Sequence, residues 1–197
     1  METAIRDLLT ELEAWGKAND ASQEDRSKKM LNLEHDTAQL ISILIRTSGC
    51  TRLLEIGTSN GYSTIWLAWA ARHTGGRVTS IDRSAEKHRL AGINLRKAGL
   101  ATMVDLMNGD ATTIIKDISG PFDFVFFDAD RSSAPTQLDI LRTKLTPDAL
   151  VLADNVLSHP DEIAPYLNAV EAMHEFDHMV VQVGKGLSLA YRQTDHS

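Results

Sequence analysis

The sequence predicts one α/β domain in which a mixed, mostly parallel β-sheet is covered by helices on both faces. From Thr51 onward, short continuous apolar runs alternate with segments of helix length, a pattern typical of buried parallel strands. The last two runs are joined only by Gly184-Lys185, which is too short for a parallel crossover, so these two strands must form a hairpin. The length of 197 residues is that of one ordinary domain.

The residues before this alternating region predict a helical cap. Apolar side chains at helical spacing predict helices over Thr3–Lys17 and His35–Arg46, and the polar stretch Ala18–Lys29 between them predicts a loop. We therefore expect the whole chain to form a single domain, with an N-terminal helical cap over 1–50 and an α/β core over 51–192.

Seven strands and five helices are predicted in the core, each from a short apolar run or from apolar residues recurring every three or four positions. The strands are Arg52–Ile56, Arg77–Asp82, Thr102–Asn108, Phe122–Phe127, Ala149–Ala153, His178–Val183 and Gly186–Tyr191. The helices are Ser63–Arg72, Ser84–Ala98, Ala111–Ile118, Ala134–Leu145 and Pro160–Phe176. Ser84 is suited to be an N-cap, and Pro147 is expected to end the helix before it.

The composition favours a cytoplasmic protein that binds neither nucleic acid nor membranes. The 20 basic and 27 acidic residues give a net charge of −7, whereas binding to phosphates needs clustered Lys and Arg. The sequence has no apolar run near the ~18–20 residues of a membrane span, and its N-terminus has no apolar run like that of a signal peptide. Cys50 is the only cysteine, which excludes an intrachain disulfide.

A glycine loop follows the first strand, at the turn where doubly wound sheets bind nucleotides. Gly57 permits a tight turn, and Gly61 allows a ligand to approach the backbone closely. The G-x-x-x-G spacing lacks the middle glycine of the dinucleotide fingerprint, which disfavours a pyrophosphate ligand and a nicotinamide dehydrogenase. Glu55 would repel a pyrophosphate but can accept hydrogen bonds in a network facing an ammonium group. A purely structural tight turn is the alternative interpretation.

Two further acidic positions follow neighbouring strands. Asp82 ends the second strand 25 residues after Gly57 (82 − 57), close to the ~20-residue spacing of a ribose-binding acid. Asp110 and Ala111 follow the third strand, where they can reach an adenine ring. Asp110 is equally well suited to be the N-cap of the next helix, and an isolated Asp82 would be typical of a solvated strand end.

An acidic cluster is predicted where the fourth and fifth strands end. Asp128 and Asp130 follow the fourth strand, and Asp154 and Asn155 follow the fifth. Because these carboxyl ends lie at one edge of a parallel sheet, the side chains can converge in one crevice. Two carboxylates and an amide oxygen suit Mg²⁺, Mn²⁺ or Ca²⁺. The alternative is that all of these residues are N-caps and turn residues.

These motifs together resemble the cation-dependent class I O-methyltransferases, which include the catechol and caffeoyl-CoA O-methyltransferases and their bacterial relatives. The resemblance is carried by Glu55–Ser63, Asp82, Phe127–Asp130 and Asp154–Val156, and it covers roughly Lys29–Arg192. It implies S-adenosylmethionine (SAM) as cofactor and a Rossmann-like, doubly wound seven-strand mixed sheet with an antiparallel last strand. From the bacterial relatives it also implies a homodimer.

The resemblance assigns roles to individual residues. The cofactor-binding residues would be Leu33, Glu55, Gly57, Ser59, Gly61, Tyr62, Ser63, Asp82, Asp110, Ala111 and Asp128. Of these, Glu55, Gly57 and Ser63 would hold the methionine part, which the backbone of Leu33 would also contact. Asp82 would bind the ribose, and Ala111 would lie near the adenine. The metal ligands would be Asp128, Asp154 and Asn155.

The implied reaction is methyl transfer to a hydroxyl of a small molecule, in which a bound divalent cation lowers the pKa of that hydroxyl. Asp128 and Arg131 are the expected catalytic residues. Arg131 stands where many members have a lysine that can act as general base, and since arginine stays protonated, it would instead stabilise a phenolate or bind an acidic substrate.

Lys185 lies in Gly184-Lys185-Gly186, where plant members of the family have Gly-Asp-Gly. It is a possible substitute base, although an exposed hairpin-turn lysine is the favoured interpretation. Two further alternatives remain open for the chain: a SAM methyltransferase that works without metal, and a non-catalytic SAM-binding module.

Overall fold

The computed structural model describes residues 1–193 and has the predicted α/β architecture. Its strands are β1 (Arg52–Ile56), β2 (Arg77–Asp82), β3 (Val104–Asn108), β4 (Phe122–Phe127), β5 (Leu145–Ala153), β6 (Phe176–Val181) and β7 (Leu187–Arg192). Its helices are α1 (Thr3–Ser22), α2 (His35–Ser48), α3 (Tyr62–Thr74), α4 (Ala85–Lys97), α5 (Ala111–Asp117), α6 (Ala134–Arg142) and α7 (Pro160–Glu171). Short 3₁₀ turns lie at Arg26–Lys28 and Ala101–Met103.

The seven strands form one sheet in the order β3-β2-β1-β4-β5-β7-β6. Strands β1 to β5 pair in parallel, whereas β7 is antiparallel to both β5 and β6. This confirms the predicted doubly wound mixed sheet with its antiparallel last strand. Over residues 1–193, the helices are all too short or too polar to cross a membrane.

The core is divided into two layers by the sheet. Successive side chains of a strand point to opposite faces, so Leu53 packs on one side and Leu54 on the other. The first layer includes buried residues of α1 to α4, and the second includes those of α5 to α7. Both faces of the central strands are therefore covered, which explains their nearly continuous apolar sequences.

The helix α1 continues to Ser22, whereas the sequence predicted a loop from Ala18 onward. Tertiary contacts explain the extension, because the last turn is fixed by polar side chains. The amide of Asn19 donates to the carbonyl of Lys28, and the Asp20 carboxylate accepts from backbone N–H groups further along the chain. The apolar pattern carried no signal for these contacts.

The strand β5 begins at Leu145, which the sequence assigned to the preceding helix. Leu145 pairs with Phe122, and a register shift follows in which Leu150 pairs with Phe124. Pro147 lies inside this irregular stretch, where a residue without a backbone N–H costs no ladder hydrogen bond. Similarly, α7 ends at Glu171 rather than Phe176, because Phe176 is a buried residue of β6.

The strand register positions the predicted site. Ile56 at the end of β1 pairs with Ile81 of β2 on one side and with Phe127 of β4 on the other. Phe127 in turn pairs with Ala153 at the end of β5. The loops that follow β1, β2, β4 and β5 therefore leave the sheet at the same edge.

Candidate functional site

The glycine loop is a tight turn whose shape depends on its two glycines. Gly57 has a φ of 111°, and a side chain on it would collide with the backbone carbonyl of Asp128. Gly61 has a φ of 87° at the start of α3, where an added Cβ would lie 3.1 Å from the Cα of Ala91. The sequence assigned Gly57 to the turn and Gly61 to the approach of a ligand. The structure adds that both positions pack directly against neighbouring backbone.

Glu55 is completely buried beneath this loop. Its carboxylate accepts hydrogen bonds from the hydroxyls of Ser63 (2.6 Å), Thr64 (2.5 Å) and Ser80 (2.5 Å). Burial raises the pKa of Glu55, and the three hydroxyls oppose that rise only in part. The predicted pair of Glu55 and Ser63 is therefore one network, which ties β1, β2 and the first turn of α3 together.

Asp82 joins the glycine loop to the start of α4. One carboxylate oxygen accepts from the backbone N–H of Ser59 at 2.8 Å, and the other accepts from that of Ser84 at 2.8 Å. Ser59 itself has a φ of 48°, and its hydroxyl donates to the carbonyl of Met30. Each carboxylate oxygen can accept a second hydrogen bond, so the arrangement is compatible with the predicted contact to ribose hydroxyls.

The segment Met30–Leu33 is joined to the glycine loop by the hydrogen bond from Ser59 to Met30, and a contact of Leu33 with the cofactor stays a prediction. Besides the bond from Ser59, the segment is held by Asp20, which accepts from the N–H groups of Met30 (2.6 Å) and Leu31 (2.8 Å). Lys87 of α4 donates to the carbonyl of Lys29 at 2.6 Å. Sequence reasoning missed both Asp20 and Lys87, because neither belongs to a local motif.

Asp110 is the N-cap of α5, the alternative that the sequence left open. Its carboxylate accepts from the backbone N–H of Thr113 at 2.8 Å and from the hydroxyl of the same residue at 3.0 Å. Ala111 is the first residue of that helix and packs against the second core layer. A contact of Asp110 or Ala111 with adenine stays a prediction.

The predicted metal ligands converge at the ends of β4 and β5. The amide nitrogen of Asn155 lies 2.7 Å from Oδ2 of Asp154 and 3.4 Å from Oδ1 of Asp128, so it stands between the two carboxylates. Asn155 has a φ of 67°, in the left-handed region that asparagine tolerates better than most residues. Oδ1 of Asp154 is buried and makes no hydrogen bond with any residue that the structure describes.

Both carboxylates of this crevice have raised pKa values. Burial raises the pKa of Asp128 well above its ordinary range, and the charges of Asp154, Glu55 and Glu34 raise it further. Burial also raises the pKa of Asp154 to about 6, again with a contribution from Glu34. The crevice therefore holds more negative charge than it can solvate, and a cation would relieve this.

Glu34 and Lys185 belong to the surroundings of this crevice, although the sequence gave Glu34 no role. They form an ion pair of 2.6 Å, in which Lys185 reaches from the β6–β7 loop to the start of α2. The positive charge of Lys185 lowers the pKa of both Asp128 and Asp154. Lys185 is an exposed residue of the hairpin turn, as the favoured interpretation has it, and the ion pair with Glu34 is a contact that the sequence did not predict. The position of Glu34 next to Leu33 was the signal that sequence reasoning overlooked.

Arg131 faces the same crevice. Its side chain is only 12% exposed and is held by Glu162 of α7 at 2.9 Å, and its charge lowers the pKa of Asp154. Its Nε is buried and makes no hydrogen bond within residues 1–193. A guanidinium placed in this way can attract an anionic oxygen but cannot remove a proton.

Two residues of the sequence motifs point elsewhere. The Asp130 carboxylate accepts from the hydroxyls of Ser132 and Ser133 at the start of α6, so it is a turn residue and not part of the carboxylate pair. The side chain of Tyr62, predicted at the cofactor, lines a cavity between α1, α2 and α3. A contact of Tyr62 with the cofactor stays a prediction.

Comparison with a family model identifies the relationship of the whole chain. A model described as O-methyltransferase matches residues 11–192. Catechol O-methyltransferase from Mycobacterium tuberculosis is 31% identical over 141 residues, which is 71% of this chain and 62% of that protein. The matched regions span 59% of a catechol O-methyltransferase from Niastella koreensis and 53% of caffeoyl-CoA O-methyltransferase 2 from Zea mays. The chain thus spans less than two thirds of these curated relatives.

Solved structures have the same fold over nearly the whole chain. The O-methyltransferase TomG from Streptomyces achromogenes, involved in tomaymycin synthesis and solved in complex with SAM, is 25% identical with a TM-score of 0.79. The match covers 98% of this chain and 91% of TomG. An O-methyltransferase from Bacillus cereus in complex with SAH is 22% identical with a TM-score of 0.77, covering 98% and 92% of the two chains, and shows the likeness of fold.

Proposed function

The chain belongs to the O-methyltransferase family, and from this we propose that it transfers a methyl group from SAM to a hydroxyl group of a small molecule, with the help of a divalent cation. The observation that carries the proposal is the single sheet edge at which the glycine loop meets the carboxylates of the half-buried Asp128 and the buried Asp154. A sulfonium cofactor and a metal ion are both cations, and this edge is acidic.

Cofactor binding is supported by the way that separate elements hold the loop. Asp82 and Met30 both bind Ser59, so the ribose-side acid and the segment ending at Leu33 are fixed relative to the glycine loop. We assign the methionine part to Glu55, Gly57, Ser63 and the backbone of Leu33, and the ribose to Asp82. Such preorganisation lowers the entropy lost on binding.

The residues present fit a divalent cation. The donor set consists of oxygens, and one of them, Oδ1 of Asp154, is buried without a hydrogen-bond partner in the described part of the chain. The Asn155 amide donates to both carboxylates and would rotate to present its oxygen to a metal. Over residues 1–193, His, Cys, Asp and Glu side chains form no group of three or more suited to a metal ion, so Asn155 is essential to the proposed set.

The chain's own charged groups define the chemistry of acceptor binding. A divalent cation held by Asp128, Asp154 and Asn155 would lower the pKa of the acceptor hydroxyl and orient its oxygen. Arg131 would stabilise the resulting oxyanion, because it stays protonated and is fixed by Glu162. Lys185 and Glu34 stand near the same carboxylates, where the positive charge of Lys185 lowers the pKa of Asp154.

Calorimetry with SAM, S-adenosylhomocysteine and NAD tests the cofactor. We expect both adenosyl ligands to bind and NAD not to bind. Asp82→Asn should weaken the binding by roughly tenfold or more, because a charge-assisted hydrogen bond contributes about 1.5–3 kcal/mol. Asp105→Asn, a change at an exposed aspartate of β3, is the matched control. Absence of binding by either adenosyl ligand would refute the proposal.

Turnover with labelled SAM and a panel of diols, phenols and acidic acceptors tests the reaction. Loss of turnover with chelator and its return with Mg²⁺ would support cation dependence. Undiminished turnover by Asp154→Ala, with or without chelator, would favour the metal-independent methyltransferase. Cofactor binding without turnover on any acceptor would favour the non-catalytic SAM-binding module.

We also propose that the protein acts in the cytoplasm as a homodimer, and that it binds neither nucleic acid nor membranes. The support for the dimer is the resemblance to bacterial relatives. Light scattering after size-exclusion chromatography should give twice the monomer mass, and a monomer at micromolar concentration would contradict this.

A further inference from the structure

A second concave site lies between α1, α2 and α3. It is a partly open cavity of about 470 Å³, which is within the range of roughly 300–1,000 Å³ that small-molecule sites occupy. In the described part of the chain, this cavity shares no lining residue with the crevice around Asp128 and Asp154. The proposed methyl transfer gives it no role.

The floor of the cavity is aromatic. Trp66 and Trp69 of α3 lie edge to face with ring centroids 6.5 Å apart, and Tyr62 and Leu9 complete the apolar surface. Tyr62 is 2% exposed and Trp66 is 7% exposed. Flat, rigid side chains of this kind favour contact with an aromatic ring.

Two polar atoms of this floor lack a hydrogen bond of good geometry within the described residues. The hydroxyl of Tyr62 and the indole N–H of Trp66 are both buried, and the indole lies close enough to the hydroxyl to lower the pKa of Tyr62. Neither group makes a hydrogen bond of good geometry with any described residue. Buried polar groups are nearly always partnered in folded proteins, so two buried donors that interact among the described residues only weakly, and with each other, indicate a ligand with an acceptor atom. Burial raises the pKa of Tyr62 to about 12, so its hydroxyl remains a donor at neutral pH.

Two arginines lie at the rim. Arg46 lies over the Trp69 ring at 4.8 Å and donates from Nε to the carbonyl of Ser42, and Arg6 donates from one Nη to the carbonyl of Met1. A guanidinium has five N–H groups, so both arginines keep donors for a ligand. The acidic residues nearby are themselves paired: Glu13 with Lys17 at 2.7 Å, and Glu2, which accepts from the Trp69 indole N–H at 3.0 Å, with Arg72.

We propose that this cavity is a binding site for a small aromatic anion, separate from the carboxylate crevice. The ring would lie against Trp66 and Trp69, and the anionic group would bind Arg6 and Arg46. An acceptor atom on the ring would meet the Tyr62 hydroxyl and the Trp66 N–H. An aromatic carboxylate or sulfonate has all three features.

The test uses 1-anilinonaphthalene-8-sulfonate as probe, with its emission followed in a titration of the full-length protein. We expect saturable binding at one site per chain. Arg6→Gln and Arg46→Gln should each raise Kd about tenfold, as expected for loss of a charge-assisted hydrogen bond. Arg46→Lys keeps the positive charge. A smaller rise in Kd in Arg46→Lys than in Arg46→Gln would therefore show that the weaker binding comes from loss of the charge and not from loss of folding. Arg89→Gln on α4 is the matched control and should bind as the wild type does.

Two further comparisons locate the probe. The uncharged N-phenyl-1-naphthylamine should bind at least about tenfold more weakly, since it lacks the anion. Gln39→Trp, at an exposed position of the cavity lining, should block the probe by filling the space. Unchanged affinity in Gln39→Trp, or in both arginine variants, would overturn the proposal.

Competition separates this site from the proposed cofactor site. Saturating S-adenosylhomocysteine should leave the probe bound, and displacement of the probe would place it in the cofactor crevice and refute the proposal. If S-adenosylhomocysteine does not bind, the methyltransferase proposal fails while the arginine and Gln39 comparisons still decide this one. A dimer that dissociates in Gln39→Trp would identify the cavity as a subunit interface and would also overturn the proposal.

Discussion

The fold itself requires glycine at position 57, independently of any ligand. Its φ of 111° is unfavourable for any other residue, and the backbone of Asp128 occupies the place of a side chain. Close approach of the two loops brings the β1 turn against the first predicted metal ligand. The first glycine of the G-x-x-x-G spacing therefore permits the turn after β1 and also the contact of this turn with the loop after β4.

Gly57→Ala should destabilise the protein by about 3 kcal/mol or more, because an unfavourable φ and a backbone collision act together. Gly49→Ala is the matched control, since Gly49 also has a positive φ, of 69°, but an added Cβ there would meet nothing within 4 Å. That variant should lose only about 1–2 kcal/mol. Urea unfolding of both variants measures the difference, and equal losses would contradict the assigned collision.

Glu55 predicts a pH dependence of stability. Its folded-state pKa is raised above the ordinary value of 4.5 by burial, so protonation stabilises the folded state relative to the unfolded state. This contribution is fully present below pH 4.5 and is lost as the pH rises through the folded-state pKa. The free energy of unfolding of the wild type should therefore fall, relative to that of Glu55→Gln, as the pH rises from 4 toward 8. Parallel pH profiles of the two proteins would contradict this.

At the scale of elements, the sequence predicted all seven strands and the helices, because their apolar periodicity reports which faces are buried. The strand ends were the uncertain part. The sequence assigned Leu145 to a helix. In the structure, the pairing of β5 with β4 continues past a register shift to Leu145, and such a shift depends on the partner strand, so it cannot be recognised from the sequence of β5 alone. The extension of α1 likewise depends on bonds from Asn19 and Asp20 to a segment ten residues away.

The residues of the site, like the elements, were predictable where they follow a local sequence pattern and not where they depend on tertiary contacts. The acidic residues near the ends of β1, β2, β4 and β5 could be recognised from the sequence, because each lies at or just after the end of an apolar strand. The parallel order of these strands then predicted that the acidic residues lie at one edge of the sheet. Asp20 was not visible, because it reaches the site from a helix whose packing angle no local pattern encodes. Glu34 was overlooked although it adjoins Leu33, because its contact with Lys185 depends on tertiary packing. Tyr62 was placed at the cofactor by its position in the motif, whereas its side chain follows the helical direction of α3 into the cap.

Asp20 makes the end of α1 important for the glycine loop. Asp20→Asn should lower the free energy of unfolding by about 1–3 kcal/mol, because one of the N–H groups of Met30 and Leu31 would then face an amide NH₂. The freed segment should also weaken the binding of S-adenosylhomocysteine, since it includes Leu33. Asp7→Asn, an exposed change on the same helix, controls for loss of charge. Calorimetry and urea unfolding test both effects, and unchanged stability would exclude this clamp.

The β6–β7 hairpin contains a second pH-sensitive group. Burial lowers the pKa of His178 below 6.5, against a smaller opposing effect of Glu171, and the side chain is 7% exposed. The neutral ring therefore stabilises the folded state above pH 6.5, and this stabilisation is lost as the pH falls through the folded-state pKa. Stability should decline less steeply on acidification in His178→Gln than in the wild type. His174→Gln, an exposed change nearby, should keep the wild-type slope.

At the scale of the whole molecule, the net charge of −7 is unevenly distributed. Glu34 precedes α2, Asp128 follows β4 and Asp154 follows β5, so three separate parts of the fold bring carboxylates whose charges act on one another. Their repulsion opposes the closing of the cap onto the core. Lys185 and Arg131 relieve it only in part, each being held by a glutamate of its own.

This repulsion predicts that a divalent cation stabilises the entire fold. Mg²⁺ at a hundredfold excess over its Kd should add about 2.7 kcal/mol, which corresponds to a rise in Tm of roughly 5–10 °C for a domain of this size. Asp154→Asn should abolish the rise and should itself raise the Tm without metal, because it removes a buried charge. Asp130→Asn should keep the Mg²⁺ effect, since Asp130 binds only the turn before α6. Thermal scans with Mg²⁺, with Na⁺ at equal ionic strength and with chelator measure this. An equal rise in Asp154→Asn and the wild type would mean that Mg²⁺ binds elsewhere and that the two strand-end acids are not its ligands.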